Sequence, residues 1–135
     1  MSPSPAHESA IGPGLACFRV RSPEGREQLM FVGELDVATA GAARAAIRRA
    51  LEETPSLTCD LGDVWFVDLS GLRVLLDATA HAERTRGRLT ITNCPPIVPR
   101  MLRLLRLEHA LEIEGIPDSG VGASRRCAAI RRHVS

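Results

Sequence analysis

Apolar and polar positions change their period several times along this chain, and each change marks an element. Ala16 to Arg21 and Glu27 to Val32 alternate like strands, and Ser22-Pro23-Glu24-Gly25 between them predicts a hairpin because Pro and Gly favour the turn. Gly33-Glu34-Leu35-Asp36 breaks the pattern. From about Val37 to Glu53 the residues Ala43, Ile47, Ala50 and Leu51 recur at helical spacing, with Arg44, Arg48 and Glu52 on the opposite face and Pro55 as the stop.

Ser56 to Asp60 reads as the next strand, and it leads into Leu61-Gly-Asp-Val-Trp-Phe-Val-Asp68-Leu69-Ser70-Gly71-Leu72. In that run Leu61, Val64 and Phe66 are the expected inward residues, around a kink at Gly62-Asp63. A second helix follows, on the stripe Leu72, Leu75, Leu76 and Thr79, with Arg86-Gly87 as a basic last turn and a Gly stop. Leu89 to Thr92 is a strand. After Pro95-Pro96 the stripe Val98, Met101, Leu102 and Leu105 gives a third helix, with Pro99 tolerated in its first turn, and a last short strand covers Leu111 to Ile113.

Strands alternating with helices require parallel strand pairs joined by crossovers, and the initial hairpin makes the sheet mixed. The predicted fold is α/β: a single domain with a mixed sheet of about four to five strands and three or more helices packed against it. Residues 15–115 form the domain. Residues 1–14, rich in Ser, Pro, Ala and Gly, are expected to be a flexible leader, and 116–135, with its late arginines, a mobile tail in which a short helix could run from about Ser124 to His133.

Composition narrows the function. A formal net charge of +1 argues against a strongly electrostatic nucleic-acid binder, although Arg100, Arg103 and Arg106 share a helix face. All the basic residues counted as Lys+Arg are Arg, so a phosphate loop built on Lys cannot exist, and no HExxH or Cys/His pairing is present. The reading is therefore not an enzyme. Cys17, Cys59, Cys94 and Cys127 are far apart and form no CxxC pair, so no metal and no cofactor is expected. No window approaches the length of a membrane span, and the N-terminus does not read as a secretory leader, so the expected location is the cytoplasm.

Ser70 stands where a strand-like segment turns into a helix. Two roles are open to it. Its oxygen can cap the helix by accepting a backbone N–H, or it can carry a phosphate that the helix start stabilises. Asp36 and Asp68 are equally divided between local work, starting a helix or closing an Asx turn, and an acidic surface.

Gly33-Glu34-Leu35-Asp36, followed about thirty residues later by Phe66-Val67-Asp68-Leu69-Ser70-Gly71-Leu72, resembles the STAS domain family, specifically the anti-sigma factor antagonists. The resemblance spans roughly Phe18 to Glu114 and includes the Pro-rich start of the third helix. It implies a single STAS-like domain that binds an anti-sigma factor with serine kinase activity, is switched off by phosphorylation of Ser70 and is restored by a serine phosphatase. The partner-binding residues it implies are Asp36, Asp68, Leu69, Ser70, Gly71 and Arg73, in a protein that is a monomer or weak dimer and makes no direct contact with nucleic acid.

This chain departs from the family pattern in two places. Leu69 stands where many relatives carry a small or hydroxyl residue. That favours an alternative, a STAS subunit of another assembly, such as a stress-signalling complex or a lipid-transport system, acting as a non-phosphorylated interaction module. Leu105-Arg106-Leu107 lacks the Gly often found near the end of the third helix, which predicts either a longer helix or a strained or water-satisfied end.

Overall fold

The computed structural model describes residues 14–115 and the backbone of residues 7–10. The chain runs β1 (His7–Ala10), β2 (Leu15–Arg21), β3 (Glu27–Leu35), α1 (Ala40–Glu53), β4 (Ser56–Val67), α2 (Leu69–Arg84), β5 (Arg88–Thr92), α3 (Ile97–Leu104) and β6 (Glu112–Ile113). The strands form one sheet in the order β1-β2-β3-β4-β5-β6, antiparallel from β1 to β3 and parallel from β3 to β6. The α/β class, the mixed sheet and the three helices agree with the sequence pattern.

β1 is an addition to it. His7–Ala10 lies in the stretch expected to be a leader, and it pairs with β2 from His7↔Arg19 to Ala10↔Ala16. Main-chain hydrogen bonds to a free edge need no apolar alternation, so composition does not reveal such a strand. The expectations for 116–135, including the short helix and Cys127, lie outside the described residues.

Period-2 burial in the strands and helical burial between them meet in one core. Leu29, Phe31 and Leu35 of β3 and Leu57, Cys59 and Leu61 of β4 pack with Ala43 and Ile47 of α1, Leu72 and Leu75 of α2, and Val98 and Leu102 of α3. The stripes expected for α1 and α2 are the buried faces, with Leu76 only half-buried, whereas Leu105 lies past α3 and is exposed. Burial takes Cys17 up to about 11, against a smaller opposing pull from Arg19, and raises Cys59 strongly with help from Cys17 and Asp60. Both thiols stay protonated in the core, as small apolar fillers rather than nucleophiles.

Two irregularities shape the end of the sheet that matters for function. β3 does not stop at Val32. It continues to Leu35 through Gly33, whose φ of 126° and position, where a Cβ would fall 2.1 Å from the Gly14 carbonyl oxygen, admit only glycine. β4 is correspondingly long, and its register against β3 slips between Met30 and Val32, at the expected Gly62-Asp63 kink, and again between Gly33 and Glu34. The second slip opposes Val64 and Phe66 to consecutive β3 residues. It leaves Trp65 and Phe66 70% and 47% exposed between buried Val64 and Val67, so Phe66 is not the inward residue that alternation alone assigns.

Helices α2 and α3 end without glycine in the left-handed position. Arg86 and Arg106 adopt φ of 62° and 59°. In each case the next residue's N–H reaches back five positions, Gly87 to the Ala82 carbonyl at 2.7 Å and Leu107 to the Leu102 carbonyl at 2.8 Å, the Schellman pattern that satisfies terminal carbonyls. The expected Gly stop is therefore one residue off: Arg86 turns the chain. Gly87 instead gives room, since a Cβ there would lie 2.5 Å from the Pro55 carbonyl oxygen. For α3, the strained end is the alternative realised.

Candidate functional site: a groove at the start of α2

Parallel β3 and β4 end side by side, and the chain leaves each of them into a helix. Asp36 follows β3, and its Oδ1 accepts from the N–H groups of Ala38 at 3.0 Å and Thr39 at 3.1 Å. The Asp36 N–H donates in return to Thr39 Oγ1 at 3.0 Å, and the Thr39 hydroxyl donates to the Glu34 carbonyl at 3.0 Å. This closed turn occupies Val37 to Thr39, so α1 begins at Ala40 rather than near Val37. Asp36 thus does local work at the helix start.

Asp68 does the same for α2. Its Oδ1 accepts from the Gly71 N–H at 3.0 Å, which makes it the N-cap, while its own N–H donates to the Leu35 carbonyl at 3.2 Å. Leu69 is the first helical residue and Ser70 the second. Ser70 is therefore not the cap. Its side chain is half-buried and makes no hydrogen bond to the described residues.

Gly71 fixes how closely the helix approaches the sheet. A Cβ there would fall 2.2 Å from the Leu35 carbonyl oxygen, so only glycine lets α2 sit on the end of β3. Asp36 and Asp68 are drawn to adjoining turns as a result. Gly71 itself is buried beneath the surface rather than presented on it.

Beside these turns α1, α2 and the segment after α3 enclose a groove of about 490 Å³. Leu69, Ser70 and Arg73 line it, so three of the sequence-predicted partner residues come together there, while Asp36, Asp68 and Gly71 are not among its lining residues. Val37, Ala40, Arg44, Leu105 and Leu107 complete the lining with Leu72 and Leu76 and were not singled out from sequence. Helical spacing does put Arg44 on the polar face of α1, but only the fold brings Arg44, Leu105 and Leu107 together with α2.

The groove is apolar with a basic edge. Val37 is 76% and Leu69 61% exposed, and the charged lining residues are Arg44 and Arg73. Arg44 Nη2 meets Asp77 Oδ2 at 3.0 Å across α1 and α2, whereas the Arg73 side chain is exposed and has no ion pair among the described residues. Among the described residues no group of His, Cys, Asp and Glu is placed to hold a metal ion, and no helix is long and apolar enough to cross a membrane.

A mixed sheet whose helices share one core with it, with a groove at the ends of its central strands, defines a small α/β domain. Residues 18–115 match the family model described as "Mlab, STAS domain", and the chain belongs to the STAS domain family. The fold is similar to that of an anti-sigma factor antagonist from Mycobacterium paratuberculosis, at 22% identity and a TM-score of 0.61 over 86% of this chain and 99% of the other. It is also similar to the anti-sigma factor antagonist SpoIIAA in its unphosphorylated form, at 19% identity and a TM-score of 0.55, covering 88% of this chain and 98% of that one. The phosphorylated form of the Bacillus cell fate determinant SpoIIAA matches at 20% identity and a TM-score of 0.52, over 85% and 98% of the two chains.

Proposed function

We propose that this chain is an anti-sigma factor antagonist that docks an anti-sigma factor with serine kinase activity on the groove at the start of α2, and that phosphorylation of Ser70 ends the complex. The observation that carries the reading is the state of Ser70. Its hydroxyl has no hydrogen-bond partner among the described residues and lies on the rim of an apolar groove, because Asp68 already caps the helix. A phosphate can be added there without removing a structural contact. It brings about −1.5 to −2 charges to a surface whose docking depends on burying Val37 and Leu69.

Transfer forms a bond from Ser70 Oγ to the γ-phosphorus of ATP and breaks the bond to ADP, with the hydroxyl proton passing to a base of the kinase. A serine phosphatase reverses the mark by hydrolysis. The similarity in fold to proteins described as anti-sigma factor antagonists supports the role, and the protein acts in the cytoplasm as a monomer or weak dimer.

A second reading is favoured by one feature. Leu69 presents an apolar side chain next to Ser70, so the same groove can serve as a non-phosphorylated contact in another assembly, including a lipid-transport system. Co-purification from the native cell, followed by incubation of the captured partner with ATP and mass-spectrometric mapping, separates the two. The proposal expects an ATP-binding partner and phosphate on Ser70. Phosphate at another residue, or capture of a transporter ATPase with no modification, would overturn it. Thr39 is a poor competitor as phosphoacceptor because it is 1% exposed and its hydroxyl is bonded.

A further inference from the structure

Phosphorylation next to two aspartates suggests release by repulsion, but the charges that line the groove with Ser70 have the opposite sign. We infer that phosphoserine at position 70 is clamped by Arg73 and Arg44 of its own chain, and that the two guanidinium groups drawn over the groove help to exclude the partner. This rests on the reading of Ser70 as the modified residue and deepens it.

Ser70 and Arg73 are three residues apart on α2 and line one groove, an arrangement that places their side chains on neighbouring positions of a helix surface. Arg73 has no competing ion pair among the described residues. Arg44 enters the same groove from α1 and is held by Asp77, with both side chains partly exposed. Half-exposed ion pairs are weak, while a guanidinium and a phosphate dianion form charge-assisted, often bidentate, hydrogen bonds. The phosphate can therefore take Arg44 from Asp77.

The acidic groups nearby are engaged elsewhere. Asp36 Oδ1 is turned to the N–H groups of Ala38 and Thr39, Asp68 Oδ1 to that of Gly71, and Asp77 is the carboxylate that Arg44 would leave. None of the three lines the groove. In the groove the phosphate meets the two arginines, while Asp36 and Asp68, outside the lining, are engaged with backbone N–H groups. A partner that docks against Leu69 and Val37 then finds the groove spanned by a folded-in ion cluster.

The test uses protein with phosphoserine installed at position 70 during translation, so that no kinase is needed. Phosphorus NMR followed through pH gives the second phosphate pKa, which is near 6 for an unperturbed phosphoserine. The clamp predicts a value lower by at least about half a unit, because nearby cations favour the dianion. It also predicts return toward the unperturbed value in Arg44→Gln/Arg73→Gln and an intermediate value in either single variant. Arg48→Gln, an exposed α1 arginine outside the groove, should leave the pKa unchanged and controls for general charge.

A pKa equal in the parent and the double variant, or equally displaced by Arg48→Gln, overturns the clamp. These substitutions are on the surface, and a circular dichroism melt of each variant confirms that the titration is read on folded protein. Failure here leaves kinase mapping to Ser70 standing, and failure of that mapping leaves the titration interpretable, so the two results are distinguishable.

Discussion

Asp68 and Ser70 divide two tasks that both belong to a hydroxyl or carboxylate at the start of a helix. Asp68 Oδ1 holds the Gly71 N–H at 3.0 Å, and Ser70 is left with an oxygen that supports nothing structural among the described residues. Asp68→Ala should therefore destabilise the fold by about 0.5 to 2 kcal/mol, the usual cost of a lost N-cap. Ser70→Ala should change stability by less than about 0.5 kcal/mol, as for a surface substitution away from such features. Urea denaturation of the two variants measures the contrast, and comparable losses would return Ser70 to a structural role. The run Asp68-Leu69-Ser70 shows where a helix starts but not which oxygen caps it, because either side chain can reach a free N–H and only backbone geometry chooses between them. The same limit applies to Asp36, whose hydrogen bonds make it the organiser of a turn.

At the scale of elements, the seat of α2 on β3 brings the two turns together. Gly71 is the pivot, since any side chain collides with the Leu35 backbone. Backbone is harder to displace than a flexible side chain, so Gly71→Ala should cost about 1 to 3 kcal/mol, typical of overpacking, and should shift amide resonances of both Leu35–Ala40 and Asp68–Leu72. A loss confined to a few tenths of a kcal/mol, with the Leu35–Ala40 resonances unmoved, would show that the helix is not seated there. The helices themselves were legible, because Ala43, Ile47, Ala50 and Leu51 or Leu72, Leu75 and Thr79 repeat with the helical period and are buried. Their ends were less so. Arg86 and Arg106 take a conformation that sequence reasoning reserves for glycine, held by the backbone bonds that close each helix. The β4 register slip that exposes Trp65 and Phe66 is likewise invisible to alternation, which assumes one partner residue for each step along the strand.

For the whole molecule, a sheet whose strands lie in sequence order carries α1, α2 and α3 into one core and leaves the ends of β3 and β4 open at Ser70. The groove there joins residues far apart in sequence, Val37 and Arg44 with Leu69, Arg73, Leu105 and Leu107. Motif spacing could nominate Leu69, Ser70 and Arg73 because they are contiguous with the helix start. It could not nominate Leu105 or Leu107, whose place depends on the tight turn after α3, nor show that the groove is apolar and basic while the neighbouring aspartates serve the backbone. In the proposed complex, burying an exposed Val37 or Leu69 side chain would contribute about 1.5 to 3 kcal/mol each, enough to make water exclusion a large part of it. A charge that keeps the groove wet, or an arginine clamp that covers it, acts directly on that contribution.

We propose that Ser70 phosphorylation alone switches this surface. It is tested most directly by measuring the dissociation constant of the co-purified partner for unmodified protein and for protein carrying phosphoserine at position 70, by calorimetry at one salt concentration without ATP. The predicted result is weakening by at least about 100-fold, some 2.7 kcal/mol, in a protein whose melting temperature is not lowered. Affinities within about threefold of each other would contradict the switch.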